Sequence, residues 1–208
     1  MTLTINQVYP PDRNALVIVI SGPSGVGKDA ILNRMKERKC QFFFVTTMTT
    51  RKQRKTETDQ VDYNFVSVDE FQALLQDNGL LESANVYGNW YGVPKKPVQE
   101  AISRGLDTII KVDVQGAANI KKILPDAIFI FINAPSIDEL RNRLLRRCTE
   151  TSADLSLRIQ TAQSELEKIS EFDYVVMNPC NDIESAIQDI LAIVKAERCR
   201  VKQRCIRL

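Results

Sequence analysis

Leu16-Val-Ile-Val-Ile-Ser-Gly-Pro-Ser-Gly-Val-Gly-Lys-Asp29 decides the architecture. Its first five residues form a short, β-branched apolar run, the pattern of a strand buried on both faces of a parallel sheet. Gly22, Pro23, Ser24, Gly25, Val26, Gly27 and Lys28 then fit G-x-x-x-x-G-K. After Lys28, Ile31, Leu32 and Met35 fall on one face of a helix over residues 29–39. Strand, glycine-rich loop and helix, in that order, are the context in which this motif wraps a phosphate. Glycines let backbone N–H groups turn inward, and the helix start adds partial positive charge. Lys28 can then reach the β and γ oxygens of a nucleoside triphosphate. The next position usually holds a Ser or Thr whose hydroxyl binds Mg²⁺. Here it is Asp29, which could take magnesium through oxygen or act electrostatically at the helix start. A capping or water-mediated role is preferred, and no residue is assigned as a direct metal ligand.

Further buried strands are expected at residues 107–112, 127–132 and 174–177. Helices are expected at 94–104, 115–124, 136–147 (with Ser136 as N-cap) and from Asp182 to about Arg198. Strands alternating with helices predict an α/β fold, a P-loop NTPase-type parallel sheet with helices on both faces. Two stretches break the rhythm. Residues 47–93 read as a small mixed α+β insert, with strands at 63–68 and 81–87, a helix at 69–76 and a hairpin turn at Gly88-Asn89. The polar run CTETSADL, residues 148–155, reads as a mobile loop within a lid at 148–157. The expected organisation is therefore a disordered lead-in at 1–14, a core at 15–46 and 94–198, the insert at 47–93, and a basic tail at 199–208. The charge of that tail reads as a solvated helix end.

Composition excludes several classes. The 208 residues suit one domain, and 44% hydrophobic with 26% charged residues suits a packed core. A formal net charge of +2 gives no reason to expect nucleic acid or a membrane surface as partner. No apolar run approaches the ~20 residues of a membrane span. The chain has no histidine, and its five cysteines show no C-x-x-C, so free thiols and a cytoplasmic setting are expected rather than a zinc site. The first residues lack the layout of a signal peptide. Nothing in the sequence speaks to oligomeric state.

The insert holds a second constellation. Thr47, Arg51 and Arg54 lie in TTMTTRKQR, Tyr63 in DYNFVSVDEF, Glu82 in LLESANVYGNWYG, and Tyr91 nine residues on. Two arginines at i and i+3 can fork onto one phosphate, and tyrosine hydroxyls can complete its hydrogen bonds. A carboxylate only accepts. Guanine offers N1–H and an N2 amino group on adjoining atoms, whereas adenine offers neither there, so a buried carboxylate left unpaired would reject AMP. Trp90 and Phe42 to Phe44 read as core or pocket wall.

With SGPSGVGK, TTRxxR, DYNFVSVDEF, GNWYG, VDVQGA, RLLRRCTE with its downstream Arg158, and YVVMN in order, the chain resembles the guanylate kinase family from about residue 16 to 198. The resemblance implies an enzyme that moves the γ-phosphoryl group of ATP, with Mg²⁺, onto GMP and also dGMP. It implies that Thr47 and Glu82 bind the GMP base, that Arg51, Arg54, Tyr63 and Tyr91 bind its phosphate, and that Asp113 lies by GMP near the transferring phosphates. Residues 22–29 would hold ATP. Arg143, Arg147 and Arg158 would belong to the lid and its flanks, with Lys28, Arg147, Arg158 and Asp113 as the catalytic set, and Asn178 would sit near the ATP base. Two departures stand out. Val93 replaces a Ser or Thr that helps read guanine, and Lys111 stands where the family often has an acidic residue. The rival expectation is a non-catalytic guanylate-kinase-like interaction module, against which the intact phosphate loop argues.

Overall fold

The computed structural model describes residues 14–208 except Thr56, Tyr87 and residues 148–151, and gives no side-chain placement over 146–158. The polypeptide runs β1 (Val17–Ser21), α1 (Lys28–Glu37), β2 (Phe43–Phe44), β3 (Met48–Thr49), β4 (Asn64–Phe65), α2 (Val68–Gln76), β5 (Leu80–Val86), β6 (Asn89–Pro94) and α3 (Lys95–Ser103). It continues with β7 (Thr108–Lys111), α4 (Val114–Ile123), β8 (Ile128–Asn133), α5 (Ile137–Arg147), α6 (Ser152–Leu166), a 3₁₀ turn (Glu167–Glu171), β9 (Tyr174–Met177) and α7 (Ile183–Arg198).

Five strands form a parallel sheet in the order β2-β7-β1-β8-β9. β1 is central, and its alternation feeds two cores. Leu16, Ile18 and Ile20 pack with Ile31 and Met35 of α1 and with Ile187 and Ile190 of α7. Val17 and Val19 pack on the other face with Ala117 and Ile120 of α4 and with Val98 of α3. All are buried, and each full-size aliphatic stabilises the fold by about 1.5–3 kcal/mol. A strand apolar at every position therefore needs a helical layer on both faces. The strand order turns around β1, so the crevice beyond the carboxyl ends of β1 and β7 is where such sheets bind ligands.

The insert is a four-stranded sheet in the order β4-β3-β6-β5. Its hairpin pairs Val86 with Asn89, so the turn lies one residue earlier than Gly88-Asn89. Gly88 occupies its second position at φ 77°, a left-handed value that favours glycine. α2 opens with a reciprocal cap. The Ser67 hydroxyl accepts from Glu70 N–H while the Glu70 carboxylate accepts from Ser67 N–H.

Three further expectations are corrected. β9 is an edge strand with Val175 and Met177 exposed, because only β8 flanks it. α6 begins at Ser152, inside the stretch read as a loop; residues 148–151 lie outside the described residues, as do residues 1–13 of the lead-in. The basic tail is solvated only in part: Arg200, Lys202 and Arg207 are exposed, whereas Arg198, just before it, and Arg204 are docked. Arg204 donates to both carboxylate oxygens of Glu197 at 2.8 Å and to the carbonyl of Ala127 at 3.0 Å. Glu197, whose side chain is fully buried, also accepts from the Tyr174 hydroxyl at 2.7 Å. Arg198 pairs with Asp107, which in turn accepts from Leu16 N–H. The tail arginines thus satisfy buried carboxylates that would otherwise be expensive. Among the described residues no helix is long and apolar enough to cross a membrane.

Candidate active site

The phosphate loop leaves β1 at Gly22. A Cβ there would lie 2.2 Å from the Ile132 carbonyl oxygen, so β8 admits only glycine at this crossing. Gly27, at φ 101°, turns the loop into α1. Lys28 folds back over the loop, its ammonium donating to the carbonyls of Gly22 at 2.5 Å and Pro23 at 3.2 Å. Burial lowers its pKa, opposed by the carboxylates of Glu165, Asp29 and Asp113. The loop is braced from behind. Arg143 donates to the carbonyls of Val26 and Asn178, each at 3.0 Å, and pairs with Glu139. Asn178 donates to the same Val26 carbonyl at 2.7 Å. Arg143 and Asn178 therefore hold the loop's shape and do not line the cavity in front of it.

That cavity, about 1190 Å³ counting the space open to solvent, joins the loop to the insert. Ser24, Gly25, Lys28 and Asp29 line one wall. Thr47, Arg51, Arg54, Tyr63, Glu82 and Tyr91 line the other, and Asp113 lies between. Gly22, Pro23, Val26 and Gly27 form the framework behind. The side chains of Arg147 and Arg158 lie outside the described residues.

Arg51 is held on several sides. It donates to the Tyr91 hydroxyl at 3.2 Å, to the Lys52 carbonyl at 2.6 Å and to both Glu57 oxygens at 2.8 and 3.0 Å. Its guanidinium lies 5.6 Å from the centre of the Tyr63 ring. Arg54 approaches the same Glu57 carboxylate at 3.6 Å, and its backbone N–H donates to it at 2.9 Å. The two arginines thus converge on one anion, as the i, i+3 spacing anticipates, but that anion is Glu57, a residue the sequence reading passed over.

Glu82 sits beside a bulge in β5 and is 6% exposed. A Cβ at Gly116 would come within 3.1 Å of its carboxyl group, so the first turn of α4 passes close over it. Its carboxylate accepts from the Asn119 side-chain amide at 3.5 Å. Burial, with the nearby Asp113 carboxylate adding to it, pushes its pKa from 4.5 up to about 7. Asp113 caps α4, accepting from Gly116 N–H at 2.6 Å. Val93, fully buried, pairs in register with Glu82 and lines the cavity.

Asp29 lies in the first turn of α1, where its charge suits the helix start, and its carboxylate also accepts from the Lys111 ammonium at 2.5 Å. Lys111 ends β7 and lies 4.0 Å from the centre of the Tyr63 ring. Asp29, where the motif usually has Ser or Thr, and Lys111, where the family often has an acidic residue, are therefore bonded to each other. Glu165 of α6 was also missed. It accepts from Ser24 N–H at 3.1 Å and faces Lys28, and burial raises its pKa. A glutamate on a polar helix 141 residues from the loop carries no signal of this in sequence.

The comparisons agree with this geometry. The "Guanylate kinase" family profile matches residues 14–197. A curated guanylate kinase of Clostridium acetobutylicum is 42% identical over 190 residues, covering 91% of this chain and 89% of its own. "Guanylate kinase 2, chloroplastic/mitochondrial" of Oryza sativa subsp. japonica is 40% identical over 208 residues, covering 100% of this chain and 73% of its own. The crystal structure of guanylate kinase from Anaplasma phagocytophilum superposes with a TM-score of 0.74 at 31% identity, covering 91% and 88% of the two chains. With a phosphate loop and a carboxylate-and-arginine insert opening on one cavity, and with these relatives along nearly its whole length, the chain belongs to the guanylate kinase family, the ATP:GMP phosphotransferases.

Proposed function

We propose that this cavity carries out in-line transfer of the γ-phosphoryl group of ATP to GMP, and to dGMP, with the residues in the following roles. The observation that carries the reading is that Lys28 and the Arg51–Arg54–Tyr63–Glu82 set open on one continuous space. The loop amides and Lys28 hold the donor phosphates. Lys28 leaves the Gly22 and Pro23 carbonyls to do so. Arg51, Arg54, Tyr63 and Tyr91 hold the acceptor phosphate, and GMP takes the place of Glu57 in the arginine fork. Thr47 and ionised Glu82 read the guanine edge; Val93 contributes only shape. An oxygen of the GMP phosphate attacks the γ-phosphorus, and the bond from that phosphorus to the β–γ bridging oxygen breaks, leaving ADP with its electron pair. Catalysis is placement and charge stabilisation, with no covalent enzyme intermediate. Arg147 and Arg158, assigned by family resemblance, would bridge the moving group when the lid closes and water is excluded.

Among the described residues no group of three acidic side chains could cage a metal ion. Asp29 is engaged by Lys111, which leaves Asp113 and Glu165 as the carboxylates facing the loop. That donor set fits magnesium carried in on the ATP phosphates and touched by protein mainly through water. Bound there, the ion would neutralise charge on the β and γ oxygens. We assign the reaction to the cytoplasm, on the free thiols Cys40, Cys180, Cys199 and Cys205 among the described residues. ATP turnover measured with GMP, dGMP, AMP and IMP, with and without Mg²⁺, tests the reading. Turnover with the guanine nucleotides and Mg²⁺ is expected, and equal rates with AMP would overturn it.

A further inference from the structure

We propose that Lys111 is an additional catalytic residue, whose ammonium takes an oxygen of the acceptor phosphate, and that Asp29 is the positioning residue that aims it there. The proposal rests on the reading of the cavity as a GMP phosphorylation site and assigns it one more contact.

Three observations carry it. Lys111 stands at the carboxyl end of β7, in register with Ile20 at the end of β1, so its backbone is fixed beside the phosphate loop. Its side chain is only 12% exposed yet lines the cavity shared by the loop and the insert. It reaches both sides of that cavity: Asp29 on the donor side at 2.5 Å, and the Tyr63 ring on the acceptor side at 4.0 Å. A lysine this enclosed, over a tyrosine that also packs against Tyr91 and Arg51, is a fixed positive charge at the point where two anions must meet. An ammonium has three donors, so it can keep Asp29 and still offer a hydrogen to a phosphate. The pairing has a second effect. Asp29 lies close enough to Lys28 to act on its charge, so with Lys111 absent its negative charge would oppose the incoming phosphates. Lys111 answers that repulsion and contributes its own attraction.

The test uses the full-length enzyme and four variants: Lys111→Met, Lys111→Arg, Asp29→Asn and the double Lys111→Met/Asp29→Asn. Steady-state kinetics with GMP and ATP are combined with calorimetric binding of GMP and of guanosine. Loss of a charge-assisted phosphate contact predicts a ~10- to 100-fold rise in KM for GMP in Lys111→Met, with kcat also reduced and KM for ATP little changed. GMP binding weakens by the same factor while guanosine binding, with no phosphate, stays unchanged. Lys111→Arg keeps part of the affinity. Asp29→Asn weakens GMP less than Lys111→Met does, since the charge remains but its aim is loosened. Equal weakening of guanosine and GMP would mark a packing role and overturn the proposal. Recovery of wild-type turnover in the double variant would show that Lys111 only neutralises Asp29, and would also overturn it. Should Lys111→Met not fold, an Asp29→Asn enzyme with unaltered GMP KM is the overturning result. Failure of the wild-type chain to phosphorylate GMP is a separate outcome, which removes the site assignment itself.

Discussion

Replacing Glu82 by Gln separates the demands of folding from those of recognition. In the folded protein burial, with Asp113 adding to it, pushes the Glu82 carboxyl from 4.5 up to about 7. A raised carboxyl pKa stabilises the fold at low pH, and that contribution is lost as pH rises from 4.5 through about 7. The interval is worth about 3 kcal/mol at 1.36 kcal/mol per pH unit. Glutamine removes the ionisation while keeping the shape. Glu82→Gln should therefore be more stable than wild type by about 3 kcal/mol at about pH 8 and by only about 1 kcal/mol at about pH 5.5. The same substitution removes the acceptor that guanine needs, so GMP affinity should fall by ~100-fold or more while ATP affinity holds. In wild type, KM for GMP should rise as pH falls below about 7, the range in which Glu82 protonates. Urea denaturation at the two pH values measures the first effect, and calorimetric titration of each nucleotide the second. A stability difference independent of pH would refute the assigned burial of charge. GMP and ATP weakened alike would refute the base-reading role.

Lys28→Ala should fold, because the bonds it loses are to the Gly22 and Pro23 loop carbonyls, and should lose ~10³-fold or more in kcat; near-normal turnover in a coupled ADP assay would remove its role. Arg51→Lys should raise KM for GMP by ~10-fold or more although charge is kept, because one ammonium cannot replace a fork that reaches Tyr91 and both Glu57 oxygens; the check is a GMP saturation curve. Arg204→Ala should destabilise the protein by about 3 kcal/mol at neutral pH, since it strips the main partner from a buried carboxylate. Hydrogen bonding from Arg204 holds Glu197 down at about 2, so that stabilisation is present above 4.5 and disappears as pH falls through about 2. Thermal melts of both proteins at pH 7 and in acid should therefore converge toward the acid end.

The parallel strands were legible because burial on both faces leaves unbroken β-branched runs, as in β1 and β8, and the helices between them because Ile187, Ile190 and Val194 keep a helical spacing. The two-residue strands β2 and β3 were not, since a period of two needs more residues than that to declare itself, whereas β4 lies inside the strand expected at 63–68. Site residues inside contiguous motifs, such as Lys28, Arg51 and Tyr63, could be placed from sequence alone. Residues whose meaning lies in a distant partner could not. Asp29 and Lys111 were each visible as odd, but 82 residues hide that each answers the other. Glu57 resembles any loop glutamate, and Glu165 any exposed helix position. Arg204 and Glu197 show the same limit, because a run of charge looks solvated until a buried counter-charge is found opposite it.

The central place of β1 has a consequence for how the chain comes into being. β1 is synthesised well before its neighbours β7 and β8, which begin at Thr108 and Ile128. At roughly 5–20 residues per second of synthesis, an apolar strand with two open edges waits several seconds for its first neighbour. Final closure waits longer still, because Asn14 bonds the Arg204 carbonyl across 190 residues. The nascent polypeptide thus carries an apolar strand without its partners through that interval, which is when a chaperone would matter most to its yield.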